Sequence, residues 1–502
     1  MEENLRKKAF FGVIWSYIGK FSSQILSIIP AMILARLLGP EQYGLIAMSA
    51  IFTGIAYQLA DGGFGNALVQ KKDADNVDFS TVFFFNIGIC SVIYIVIFFC
   101  APFISAFFHE PLLTDIVRVS SLGIVFLAFG QIQTIIFKKE IDYKRQTIVN
   151  LTCQILSVIV AIILAYDGWG VWALVVQGLM QTLSSTILNW FISKWRPNAC
   201  FSLFRLKKLF NYGSKTLASS MIDYGFNKLY DIIIGRVYTP VSLGLYNRAY
   251  STADLFKSTF FSVFSGVTFP IFVKMQDDNE RLCINIRKFM IIISMIIFSV
   301  MMSLIVLADP LFLFMYSDKW NGAIPLFKIA CIVAMLTPVV SILESIILAK
   351  GHSGKFLLIS IVRKVFVVLV VVIAWKYGIV WMMFGQVFVC ICEILLYTHF
   401  TKKLVGYSIT NLIRDILPYL IIGIITVIPI ACIDYVLGNF ILSPHDPIIS
   451  SLIRLLCGAF VCLISFTLTN RVIKTDAYIE LIQFIQDAVG EKRILNYLKI
   501  SK

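Results

Sequence analysis

Long apolar runs, separated by short clusters of Gly, Pro, Asn and charged residues, follow one another along the whole chain. A helix needs roughly 20 predominantly apolar residues to cross a hydrocarbon core about 30 Å thick. The runs reach that length repeatedly and predict fourteen spans, at about 10–35, 43–65, 80–108, 117–137, 147–166, 169–193, 209–234, 241–273, 289–308, 323–348, 356–375, 378–399, 416–436 and 448–470. Arg6, Lys7 and Lys8 precede the first run, which is too long for a signal-peptide core and reads as a retained span. The connections are short, as expected for turns between neighbouring helices, and no segment is long and polar enough to fold as a water-soluble domain. Beyond the last span, Ile479, Ile482, Ile485 and Val489 recur at helical spacing and predict an amphipathic tail on the membrane or against the bundle. The fold class is therefore an all-α polytopic membrane protein of about 14 transmembrane helices.

One punctuation mark occurs twice. RLLGPEQYGL, residues 36–45, is echoed by RVYTPVSLGL, residues 236–245, with Arg36/Arg236, Pro40/Pro240, Gly44/Gly244 and Leu45/Leu245 in register. Each copy follows an odd-numbered span, the first and the seventh. Six spans lie between them, and an even number preserves direction, so the echo is what parallel repeats would leave. A shared habit of helix ends, Arg at an interface and Pro-x-x-x-Gly in a turn, would leave the same trace. The layout divides into 1–200 and 201–405 with six spans each, 406–470 with two more, and the tail 471–502.

Composition agrees: 59% of residues are hydrophobic and 14% charged, with mean hydropathy +0.85, far too little charge for a soluble surface. The net charge of +14 is explained by its placement. Of 43 Lys and Arg, 29 fall on the side of the N-terminus, nine inside spans, and only Arg36, Arg236, Lys319, Lys376 and Arg118, at the outer edge of its span, on the other side. This positive-inside bias places both termini in the cytoplasm, and topology rather than nucleic acid accounts for the basic balance. Most of the eleven cysteines lie in apolar runs, where a thiol behaves as a small hydrophobe, and suggest no disulfide framework. Cys390 and Cys392 are two apart on a helix and cannot share a metal. Neither cysteines nor histidines show metal-ligand spacing.

Candidate chemistry lies in the ionisable residues within spans. Each costs about 2.5–3.5 kcal/mol on insertion scales, so it normally faces a wet cavity or a partner. Lys20 lies ten residues into the first span, near the midplane at the rise of a helix. It shares one face with Ser16, Ser23, Gln24 and Ser27 and has no acid three or four residues away. Pro30 would bend the same helix. The seventh span carries Lys215, Ser219, Asp223, Asn227, Lys228 and Asp231, and Lys228 can pair with Asp231. Arg248, Asp254 and Lys257 follow in the eighth, and the sixth has a milder stripe of Gln177, Gln181, Ser184, Ser185 and Asn189.

Spans one, seven and eight thus read as cavity walls, with Lys20, Gln24, Lys215, Asp223, Asn227, Lys228, Asp231, Arg248, Asp254 and Lys257 as candidate binding residues. Such Lys–Asp pairs and small polar residues can equally lock helices together. Lys328, Arg363, Lys364 and Arg454 read as snorkelling or local pairs. Asp61, Glu344 and Glu393 lie near the inner ends of their spans.

ARLLGPEQYGLIAMS (35–49), DGGFGNALVQKKD (61–73) and QTIIFKKEIDYKRQT (133–147) closely resemble stretches of bacterial polysaccharide transporters. These are the Wzx-type flippase branch of the MOP exporter superfamily, and the chain looks most like the teichuronic-acid and colanic-acid exporters. The resemblance implies two six-helix bundles around a central cavity in the bacterial cytoplasmic (inner) membrane. It also implies movement of an undecaprenyl-diphosphate-linked oligosaccharide from the cytoplasmic to the periplasmic leaflet for surface polysaccharide synthesis, without catalysis or a cofactor. The implied partners are that lipid-linked oligosaccharide, membrane lipids and other polysaccharide-assembly membrane proteins; the acids Asp223, Asp231 and Asp254 either couple H⁺ or Na⁺ or only neutralise neighbouring lysines. Such a cargo needs a cationic, hydrated pocket, with Lys and Arg for phosphates and Ser, Gln, Asn and Tyr for sugar.

Two other readings stay open. A drug or organic-cation antiporter of the same superfamily would favour an acidic, aromatic cavity, whereas the charges inside the spans are nine basic against seven acidic. A membrane-embedded glycan polymerase or glycosyltransferase would need a sizeable outer loop. Here the outer polar pairs His109-Glu110 and His445-Asp446 sit in short turns beside Pro111 and Pro447.

Overall fold

Capping chemistry sets where many of the helices begin. In the computed structural model, which describes residues 2–61, 64–441 and 447–473 and not every side chain within them, the chain forms two compact units, 1–247 and 248–502. The first contains α1 (Glu2–Leu37), α2 (Pro40–Asp61), α3 (Phe64–Gln70), α4 (Asn76–Phe108), α5 (Leu113–Lys139), α6 (Tyr143–Tyr166), α7 (Val171–Ile192), α8 (Leu203–Asn227), α9 (Leu229–Val237) and the start of α10 (Pro240–Lys274). The second contains the rest of α10, then α11 (Asn279–Val306), α12 (Ala308–Tyr316), a 3-10 turn Asp318–Ala323, α13 (Ile324–Ala349), α14 (Ser353–Ala374), α15 (Ile379–Val405), α16 (Ile409–Val436) with a π turn Leu437–Ile441, and α17 (Pro447–Ile473). Asp75 and Asp78 form a reciprocal capping box at α4, and Asp142, Ser202, Asp278 and Ser408 cap α6, α8, α11 and α16. Pro40 and Pro240 open α2 and α10, where a missing N–H costs nothing.

Eleven helices among the described residues are long and apolar enough to cross a membrane. They coincide with eleven of the fourteen expected spans. The other three, 10–35, 209–234 and 241–273, are also helical (α1, α8 with α9, and α10) but do not qualify over their described residues, α1 contributing only the apolar stretch Ser22–Leu37. They are the three expected to line a cavity. Large apolar side chains point outward from α4, α14, α16 and α17, among them Phe99, Phe103, Val372, Ile428, Leu456 and Phe460. Such a belt is incompatible with water, and the chain is a multi-pass membrane protein. The tail 474–502, His445 and Asp446 lie outside the described residues, as do the side chains of Ser16, Asp61 and Lys215.

The structure departs from the expected layout in three places. Span seven is broken at Lys228 into α8 and α9. The break escapes a periodicity reading because backbone bonding carries on through it: Lys228 N donates to Tyr224 O at 3.0 Å and Ile232 N to Lys228 O at 2.9 Å. The connection after span nine is not a plain loop but α12 and the 3-10 turn, folded over an aromatic cluster of Phe312, Tyr316, Trp320 and Phe327. Finally, α1 begins at Glu2, well before its expected start.

In the first unit the core is assembled from α3, α4, α5 and α8 around Phe64, Leu68, Phe79, Phe83, Ile132 and Leu206. Between α4, α5, α6 and α7, polar pairs add to the packing: Asn86 to Gln131 at 3.0 Å, Ser157 to Gln181 at 2.9 Å and Asn189 to Thr134 at 3.2 Å. Gln181 and Asn189, part of the milder polar stripe of the sixth span, thus join helices. The two copies of the repeated motif also meet here. A methyl built on Gly44 would lie 1.7 Å from the Pro240 carbonyl oxygen, and one on Gly244 would lie 1.9 Å from that of Pro40.

In the second unit, α11 is fastened to α16 by Asp415. Its carboxylate accepts three contacts from Arg287 at 2.9–3.1 Å and the Tyr407 hydroxyl at 3.0 Å. Lys328 pairs with Asp309 at 3.0 Å, Arg363 with Glu393 at 3.5 Å, and Arg454 with Asp434 at 2.7 Å, the local pairing expected of these cations.

Candidate functional site

A polar pocket of about 410 Å³ opens beside the turn between α5 and α6. Its walls are Gly19, Lys20 and Ser23 of α1, Val69 of α3, Lys138 of α5, and Tyr143, Gln146, Thr147 and Asn150 of α6. The volume falls in the range of small-ligand sites.

The walls form because α1 and α6 approach closely. A Cβ on Gly19 would stand 2.6 Å from Thr147 Oγ1, so glycine there permits the contact. Thr147 Oγ1 donates to Trp15 O at 3.2 Å, and Gln154 Nε2 donates to Ser23 O at 3.2 Å. The turn is fixed from both sides. Lys139 Nζ donates to Lys71 O at 2.7 Å, tying α5 to the end of α3, and Asp142 accepts from Arg145 N at 3.1 Å to start α6. Lys144 lies 5.5 Å from the Trp15 ring. Held this way, the turn presents Lys138, Tyr143 and Gln146 to Lys20.

Two ammonium groups therefore share the pocket with hydroxyls and amides, and no carboxylate is among the described lining residues. Neither Lys20 nor Lys138 has an ion pair among the described residues. The buried Oε1 of Gln146 has no hydrogen-bond partner among the described residues, an acceptor left open to a ligand donor. A set of this kind suits an anionic group flanked by hydroxyls: lysines act as point charges on phosphate, while amides and hydroxyls meet sugar. Lys20 does not sit halfway along the bundle as expected. It lies beside the first turns of α6, because α1 extends beyond its apolar stretch and packs Trp15 and Gly19 on Thr147.

Next to the pocket wall, Lys71 reaches the fully buried Asp78 at 2.5 Å, and Arg205 contacts both Asp75 and Asp78. The Arg205 guanidinium, helped by the Asp78 N–H, holds the Asp75 carboxyl down to about 2.

The remaining candidates of the first unit lie elsewhere. Gln24 is half-buried one turn beyond Lys20 and outside the lining, while Asp223 and Asn227 are exposed on α8. Lys228 Nζ and Asp231 Oδ2 are 2.6 Å apart, and Asp231, only 5% exposed, is also hydrogen-bonded by Asn247. The pair clasps the broken helix. In the second unit, the Arg248 guanidinium stacks 5.0 Å from the Tyr316 ring and 5.3 Å from Trp320. Asp254 and Lys257 pair at 2.5 Å beside a void of about 10 Å³, room for roughly one water.

Lys138, Tyr143, Gln146 and Asn150 were not candidates from sequence. The first three belong to the stretch 133–147 that carried the family resemblance, and that signal could have singled them out. Read locally they are part of a basic connection; only the crossing with α1 makes them a site.

Fold and site together define a multi-pass α-helical membrane protein with a transporter fold and a cationic pocket at one end of its first unit. The family model for polysaccharide biosynthesis proteins matches residues 33–325, more than half of the chain, and the chain belongs to that family. It is similar to lipopolysaccharide biosynthesis protein WzxC of Escherichia coli (strain K12), 26% identical over 352 residues, which are 70% of this chain and 71% of that protein. Similarity to teichuronic acid biosynthesis protein TuaB of Bacillus subtilis (strain 168) is 24% over 392 residues, 75% of this chain and 80% of that one. Among solved structures, lipid II flippase MurJ in an inward closed conformation superposes with a TM-score of 0.70 at 15% identity, covering 92% of this chain and 100% of that chain. That likeness shows the fold.

Proposed function

We propose that this protein is a flippase that carries a lipid-diphosphate-linked oligosaccharide, the undecaprenyl type implied by the family, from the cytoplasmic to the periplasmic leaflet for surface polysaccharide synthesis. The observation that carries the reading is the pocket: among the described residues, two lysines without ion pairs, an open amide oxygen and several hydroxyls, with no carboxylate in the described lining. An antiporter for organic cations would need the opposite charge there. Family membership and relatives named for making lipopolysaccharide and teichuronic acid support the polysaccharide context, and the fold shared with a protein named a flippase supports the reaction type.

Lys20 and Lys138 hold the diphosphate, Ser23, Tyr143, Gln146 and Asn150 meet the first sugars, and the lipid tail stays in the bilayer. The protein resides in the bacterial cytoplasmic membrane with both termini inside, on the strength of the charge bias. The 1–200 and 201–405 segments act as the two six-helix bundles. Asp223, Asp231 and Asp254 are the acids available to couple H⁺ or Na⁺.

The test is lipid extraction from cells depleted of the protein, with mass spectrometry and leaflet assignment. Accumulation of one oligosaccharide-diphospholipid in the cytoplasmic leaflet is expected. No accumulation together with hypersensitivity to cationic drugs would replace the reading with an antiporter, and accumulation in the periplasmic leaflet would replace it with a polymerase or transferase.

A further inference from the structure

The repeated motif packs against itself. Gly44 meets Pro240, and Gly244 meets Pro40 and, at 3.1 Å, the Gly44 nitrogen. The atoms a side chain would strike are backbone, so no rotamer change relieves the clash; α2 and the start of α10 would have to separate by more than an ångström. The contact runs on from this crossing. A Cβ on Gly54 would stand 1.7 Å from the Tyr224 hydroxyl, which donates to Ala50 O at 2.9 Å, and one on Gly235 would stand 2.8 Å from the Phe108 ring. Phe52 meets Phe108 edge-on at 6.0 Å. The strip is close in shape, with Arg236 contacting His109 at its edge, and its dispersion contacts, at about 0.1–0.2 kcal/mol per atom pair, are easily given up a little at a time. That is what a contact made and broken in every cycle requires.

Position completes the case. The pocket lies near Lys20, whereas Arg36 and the following turn into Pro40 stand sixteen residues further along α1, roughly 24 Å at the helical rise. Pocket and crossing are thus well separated along α1, the open pocket beside its middle and the α5–α6 turn, the shut crossing at its C-terminal end.

We infer that Gly44 and Gly244 are positioning residues for transport: they let the seam between α2 and α10 close at the C-terminal end of α1, away from the pocket, and a side chain at either position holds that seam open. The inference rests on the flippase reading for its role in transport, but the seam itself can be measured without any substrate. Spin labels on Gln42→Cys and Ser242→Cys, equivalent positions of the two copies, would be placed in full-length protein lacking its native cysteines, in lipid nanodiscs. Distance distributions should show a short population in the parent, reduced at least tenfold by Gly44→Ala or Gly244→Ala. Gly88→Ala, where nothing lies within 4 Å, should leave it unchanged. The double variant Gly44→Ala/Gly244→Ala should lose little more than either single one, because one displacement relieves both clashes.

An intact short population in both alanine variants, or equal losses that simply add, would overturn the inference. Should the alanine variants fail to fold, the parent pair Gln42→Cys/Ser242→Cys answers with both glycines untouched. A bifunctional thiol reagent that ties the seam shut should abolish transport, and transport through the tied seam would overturn the role. If the untied protein moves no lipid-linked saccharide, the flippase reading fails, and the distance measurements still decide whether the seam opens and closes.

Discussion

Lys20→Met removes one charge from the pocket and very little else. Lys20 lines the pocket and has no ion pair among the described residues, so the change strands no buried carboxylate, and methionine retains most of the length of the side chain. A substitution of that sort usually shifts stability by less than about 0.5 kcal/mol. If the ammonium holds a phosphate, its loss removes a hydrogen bond to a charged group worth about 1.5–3 kcal/mol, or roughly a 10- to 150-fold weaker affinity. Lys138→Met should behave alike, and the double variant should bind more weakly than either. The assay is titration of purified protein in vesicles with an oligosaccharide-diphospholipid, read beside thermal unfolding and a leaflet-translocation measurement. Wild-type affinity and flux in Lys20→Met would refute the reasoning. So would a loss of flux that merely tracks a loss of folded protein, because Lys20 would then be a structural residue.

Asp231→Asn should lower the amount of folded protein, since it leaves Lys228 without its buried partner, and adding Lys228→Met should restore part of it; normal abundance with lost export would instead place the pair in the transport pathway. Tyr407→Phe takes one donor from the buried Asp415 carboxylate and should cost about 1.5–3 kcal/mol in equilibrium unfolding, while Tyr407→Phe indistinguishable from wild type would show that Arg287 alone satisfies Asp415. The Asp75–Arg205 contact gives a pH signature. With the folded carboxyl held at about 2 and the unfolded one near 3.9, its stabilisation is present above pH 4 and fades as pH falls toward 2. Unfolding curves of wild type and Arg205→Gln should therefore differ at neutral pH and converge in acid; a gap that persists at pH 2 would assign the difference to something other than this carboxylate.

What could be read beforehand and what could not divides along the reach of the interactions. Apolar runs found the helices because burial in lipid is decided residue by residue along one segment. The pairing of Lys228 with Asp231 was visible for the same reason, three residues being less than one turn. The break at Lys228 was not: it contains neither Pro nor Gly, and the hydrogen bonds on either side continue. Nor was the cradle of Arg248, whose two rings come from Tyr316 and Trp320, some seventy residues on. The pocket was half visible. Lys20 stood out as a cation in an apolar helix, whereas Lys138, Gln146 and Asn150 look ordinary until Gly19 lets α1 lie against α6.

The seam has one more consequence. Gly44 meets Pro240 as Gly244 meets Pro40, which is the signature of an isologous interface, one surface patch used twice about a twofold axis. Within one chain, that reciprocity binds two distant stretches of sequence to a common fate, because a bulkier residue at either glycine is felt at both.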